Sequence, residues 1–130
     1  MNWGKAMSAK ILVVDDSKTV RFQLRHALEG AGYTVLECVD GMDGLEKLRT
    51  EKDIALIICD VNMPNLDGIG MITRAKDEKL TTAPIFMITT EAGPELKAKA
   101  KEAGARLWMT KAYNVDNMLT AVQEALAPKA

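Results

Sequence analysis

No apolar run in the 130-residue chain approaches the roughly 20 residues that a membrane-crossing helix needs. The N-terminal stretch, residues 1–6, also lacks the apolar core of a secretory signal. A cytoplasmic location is therefore the expectation. An excess of one charge is missing too. The 18 acidic and 17 basic side chains leave a formal net charge of -1, so no global field draws the chain to nucleic acid or to an anionic membrane surface. Cysteine occurs twice, at Cys38 and Cys59, each within an apolar run and without CxxC or His-rich spacing. Such thiols are expected to be buried and reduced. The length suits one domain with an ordinary core and is too short for two.

What the chain does have is rhythm. Residues 1–9 show no periodicity and read as a tail or a tag remnant. From Lys10 onward, short apolar runs alternate with helix-like segments. Strands are expected over 11–14, 35–39, 54–59, 85–88 and 107–110, and helices over 17–30, 42–50, 67–78, 94–103 and 115–126. In the first helix Val20, Leu24, Ala27 and Leu28 share one face, with Ser17 or Asp16 available as cap. The last helix turns Met118, Leu119, Val122, Ala125 and Leu126 inward. Strands that are apolar at consecutive positions are those covered on both faces, as in parallel sheets flanked by helices. Five such units predict a doubly wound α/β domain, whose ligand crevice lies at the carboxyl ends of the strands.

Four ionisable residues stand at those ends: Asp15, Asp16, Asp60 and Lys111, with the Thr89 hydroxyl beside them. Singly, each has an ordinary explanation, as a helix cap, a turn residue or a solvated lysine. Together at matching strand ends they point to a site, because stability requires no such set of charges. Clustered carboxylates repel and raise one another's pKa unless a cation neutralises them. An all-oxygen set suits Mg2+, which favours carboxylate and phosphate ligands. A phosphoryl group is the natural companion of such a metal.

The strings VVDDS (13–17), DVNMPNLDG (60–68) and ITTEA (88–92), then Gly104 with Ala105, and Lys111, stand in an order and spacing that resembles the receiver domain of bacterial two-component response regulators, most closely the stand-alone chemotaxis type. The resemblance runs from Lys10 to about Leu126, and 10–127 is taken as the domain. It implies a flavodoxin-like (βα)5 fold with a five-stranded parallel sheet in the order 2-1-3-4-5, an order that the general description of this fold class already assigns to the chemotaxis receiver. It implies that Asp60 accepts a phosphoryl group from a histidine kinase, and that Asp15, Asp16, Asp60 and the Asn62 backbone carbonyl hold Mg2+. Thr89 and Lys111 would contact the phosphoryl oxygens, Asn62 and Glu91 would tune hydrolysis, and Thr89 with Trp108 would carry the switch. A monomer is implied, with output by protein binding through the face of helix four, strand five and helix five, to a flagellar motor component or a phosphatase.

Three departures from the family pattern stand out. Ala112 follows Lys111 where the family usually has a cis proline; a non-proline cis bond costs ~3–4 kcal/mol, so a trans peptide is expected. Trp108 is larger than the usual Tyr, Phe or His, and Thr90 narrows the approach to Asp60. These departures keep a receiver that no longer switches, acting as a constitutive interaction module, among the readings, beside a phosphorelay shuttle. An aspartyl phosphatase would need an acid where Asn62 stands, and a flavin carrier would need aromatic loops. Elsewhere, Phe22 and His26 lie one turn apart on the outward face of the first helix. Met63 and Pro64 shape the loop after Asp60, and Gly68 permits a close helix start. Lys97, Lys99 and Lys101 read as a solvated face or as a steering patch for an acidic partner.

Overall fold

The computed structural model describes residues 8–90, 93–111 and 113–127. Strands and helices alternate: β1 (Lys10–Val14), α1 (Lys18–Gly30), β2 (Thr34–Cys38), α2 (Gly41–Thr50), β3 (Ile54–Asp60), α3 (Gly68–Asp77), β4 (Ile85–Thr89), α4 (Pro94–Ala103), β5 (Leu107–Thr110) and α5 (Val115–Leu126). All neighbouring strands are parallel, in the order β2-β1-β3-β4-β5. This is the doubly wound, flavodoxin-like arrangement expected from the sequence.

The two faces of the sheet separate by residue parity, since successive strand side chains point to opposite sides. Ile11, Val13, Leu56, Ile58, Phe86 and Ile88 pack with Leu24 and Leu28 of α1 and with Met118 and Val122 of α5. Leu12, Val14, Cys38, Ile57, Cys59 and Met87 pack with α2, α3 and α4 through Leu45, Leu48, Met71, Ile72 and Ala100. Both faces being covered explains why the strands are apolar at consecutive positions.

Helix starts follow local chemistry. Ser17, not Asp16, caps α1 by accepting from the Val20 N–H at 3.3 Å. Asp40, Asp67 and Asn114 cap α2, α3 and α5 in the same way. The first and third helices therefore begin one residue later than the pattern suggested, because Ser17 and Asp67 are caps. β2 runs one residue earlier than expected and leaves Val39 beyond its end, 49% exposed. Ser8 and Ala9, expected as part of the tail, contact the chain at Thr34, whose N–H donates to the Ala9 carbonyl at 3.0 Å.

Cys38 and Cys59 are free and buried. They sit on strands flanking Val14 from opposite sides, two inter-strand spacings or about 9.5 Å apart. That exceeds the ~7 Å between Cα atoms that a disulfide can span. Among the described residues, no helix is long and apolar enough to cross a membrane.

Candidate functional site

The parallel order brings the carboxyl ends of β1, β3 and β5 to one edge of the sheet, with β3 central. Asp15 follows β1 and is fully buried; Asp60 ends β3 at 3% exposure; Asp16 is exposed. One carboxylate oxygen from each of the three lies within 4.8 Å of the others. Lys111, directly after β5, reaches into this cluster. Its Nζ lies 3.2 Å from Asp60 Oδ2 and 3.1 Å from Asp15 Oδ2. The main chain sets that reach, because the Lys111 N–H donates to the Thr89 carbonyl at 2.8 Å. Thr89 itself is buried at the end of β4.

The electrostatics are those of a charge-dense cleft. Burial first, then the charge of Asp15, pushes the Asp60 carboxyl above its ordinary range, while Lys111 and the Asn62 N–H pull against that rise. Burial pulls the Lys111 ammonium down, but its bond to Asp15 and the charges of Asp15 and Asp60 outweigh this and raise it. Tyr113 lies close enough for Asp15 to matter: burial, then that charge, raises its phenol.

One buried oxygen tests whether the cleft fits a cation. Asp15 Oδ2 is buried yet accepts no hydrogen bond, although the Lys111 charge stands beside it. Its companion Oδ1 accepts from the Ser17 N–H at 2.8 Å. A hard, all-oxygen donor set with an unused lone pair and surplus negative charge is able to hold a metal ion.

The loop leaving Asp60 is tightly folded. At Gly68 a Cβ would collide with the Asp60 carbonyl, so α3 can start this close to Asp60 only at glycine. At its other side the Gly41 N–H donates to the Leu66 carbonyl at 3.1 Å, and the Asn65 side-chain amide donates to Asp40 Oδ2 at 2.6 Å.

Of the residues expected from sequence, the structure brings Asp15, Asp16, Asp60 and Lys111 together, with Thr89 and Asn62 adjoining. Trp108 sits apart, half-buried on the α4 side of β5. There it lines a groove of about 290 Å³ with Lys97, Lys101 and Arg106. Glu91 and Ala112, and with Ala112 the expected trans bond, lie outside the described residues. Sequence reasoning missed Arg21, whose guanidinium donates to the Asp15 carbonyl at 2.7 Å, and the Asp40–Asn65 contact. It also missed Tyr113.

A parallel α/β sheet with three carboxylates and one lysine gathered at the carboxyl edge defines a flavodoxin-like domain with an acidic, metal-competent cleft. The chain belongs to the response regulator receiver domain family, which it matches over residues 11–123. It is 37% identical over 106 residues to the chemotaxis protein CheY1 of Helicobacter pylori, covering 80% of this chain and 86% of that protein. With protein PilH of Pseudomonas aeruginosa it shares 33% identity over 120 residues, 92% of this chain and 98% of that one. The solved structure of Vibrio cholerae chemotaxis protein CheY4 is similar at a TM-score of 0.85 with 37% identity, covering 92% of this chain and 99% of that chain.

Proposed function

We propose that this chain is a phosphorylation-dependent response regulator of a two-component, chemotaxis-type pathway, with residues 10–127 as receiver. Asp60 takes the phosphoryl group from a histidine kinase. A carboxylate oxygen forms the new phosphorus–oxygen bond as the phosphorus–nitrogen bond breaks, and the released imidazole nitrogen takes a proton from solvent. The observation that carries this reading is the Lys111 ammonium set between Asp15 and Asp60, where it can follow new negative charge on Asp60. Asp15, Asp16, Asp60 and the Asn62 carbonyl are the residues that would hold Mg2+. When bound, Mg2+ supplies positive charge that offsets the three carboxylates and the phosphoryl oxygens. Thr89 contributes a hydroxyl to those oxygens, and Asn62 and Glu91 tune hydrolysis of the acyl phosphate.

The output is protein binding in the cytoplasm by a monomer, with Thr89 and Trp108 relaying the modified state to the face of α4, β5 and α5. The basic groove beside Trp108 supports an acidic target segment there. Asn62 occupies the position where an aspartyl phosphatase needs an acid, which supports a phosphoacceptor over an enzyme turning over phosphomonoesters.

Incubation with acetyl phosphate and Mg2+ tests this reading. The wild type is expected to gain one phosphoryl group by intact mass and Asp60→Asn none; equal modification of both removes Asp60 as acceptor.

A further inference from the structure

Asp15 and Asp16 project from consecutive positions past the end of β1, where the ladder no longer dictates their direction. At Asp15 both polar atoms of the main chain are nonetheless held. The Asp15 N–H donates to the Cys38 carbonyl at 3.0 Å, and the Asp15 carbonyl accepts from Arg21 Nη1 at 2.7 Å. The same guanidinium donates through Nε to Glu37 Oε1 at 3.1 Å, and Arg25 Nη1 donates to Glu37 Oε2 at 2.7 Å. Glu37 and Cys38 are adjacent on β2, so one short piece of β2 fixes both ends of the Asp15 backbone unit, directly through Cys38 and through Arg21 from Glu37.

We infer that Arg21 is a positioning residue for the acidic pair: anchored on Glu37, its guanidinium locks the peptide plane between Asp15 and Asp16 and so aims both carboxylates at the metal. The peptide unit is planar, so fixing the Asp15 carbonyl also fixes the Asp16 N–H and the direction in which Asp16 leaves the strand. The fork geometry of arginine is needed, because one planar group must serve a carbonyl and a carboxylate in different directions, which a lysine point charge does not do. The side chains of Arg21 and Glu37 are only 12% and 29% exposed, so the pair is shielded from the screening that makes surface ion pairs weak. With the N–H, the carbonyl and Oδ1 of Asp15 all engaged, Oδ2 alone is left without a hydrogen bond. Residues that orient metal ligands from behind contribute heavily to affinity, and their loss costs about 10–100-fold.

This inference rests on the metal reading above, and the experiment separates the two. Mn2+ is titrated into the protein and free ion is counted by electron paramagnetic resonance, at a temperature where circular dichroism shows each variant folded. Arg21→Lys is expected to raise the Mn2+ dissociation constant by about tenfold, with a smaller rise in Glu37→Gln and none in Arg49→Gln, whose partner Glu78 lies on the α2–α3 surface. In metal-free Arg21→Lys the Asp16 and Ser17 amide resonances are expected to move. A purely structural role would lower the melting temperature and leave the dissociation constant unchanged, which overturns the inference alone so long as Asp15→Asn abolishes binding. Absence of Mn2+ binding by the wild type overturns both readings. If Arg21→Lys does not fold, Glu37→Gln decides: an unchanged constant overturns the inference and a raised one upholds it.

Discussion

Burial, and then the adjacent charge of Asp15, make the ionised Asp60 expensive to keep in the folded chain, with Lys111 offsetting part of the cost. Its carboxyl is raised in the folded state, so that state binds more protons than the unfolded chain, and stability falls as pH climbs from about 3.9 through the raised value. Above that window the full penalty persists. Asp60→Asn removes the charge with little change of shape. The metal-free variant is therefore expected to melt a few degrees above the wild type at pH 7, the scale that about 1 kcal/mol produces in a domain of this size. The gap should close as pH drops toward 4, and scanning calorimetry in chelator across that range measures it. Lys111 has the opposite dependence: its raised ammonium contributes stability fully present at neutral pH and lost only as pH rises through its elevated folded value.

At the scale of elements, the junction of α2 with the loop after β3 depends on Asp40. Its Oδ1 accepts from the Asp43 N–H at 2.9 Å and its Oδ2 from Asn65, so one carboxylate caps a helix and holds a loop. These two bonds, the backbone one first, keep its pKa below the ordinary range; the stability they contribute is present at neutral pH and is lost as pH falls through that lowered value. Asp40→Ala is expected to cost about 1–2 kcal/mol, read by urea unfolding at pH 7, while Asp40→Asn keeps a capping oxygen and should cost less than half of that. The contact also marks where sequence reasoning stops. Expected bounds for α4, β5 and α5 match the structure because Pro94, Gly104 and Asn114 punctuate them locally. Asp15, Asp60 and Lys111 were legible for a related reason: each closes an apolar run, and parallel topology gathers run ends. Arg21 on Asp15 and Asn65 on Asp40 were not, because they join side chains to groups brought near only by the strand order, and neither residue interrupts a pattern.

For the whole molecule, the acidic cleft joins the ends of β1, β3 and β5 on both sides of the sheet's centre, so an ion bound there acts on the global fold. Mg2+ at 100 times its dissociation constant is expected to add about 2.7 kcal/mol of stability, seen as a higher melting temperature that Asp15→Asn abolishes and chelator reverses. The interior offers something else to the experimenter. Burial pushes the Cys38 thiol up to about 12 and the Cys59 thiol well above its ordinary value, and these are the chain's two cysteines. Neither presents a thiolate to an alkylating dye while the fold is intact. A single cysteine introduced at an exposed position such as Phe22, which is 67% exposed, would therefore be the one handle a maleimide reaches, and the native sequence already serves as a silent background for fluorescent or spin labelling.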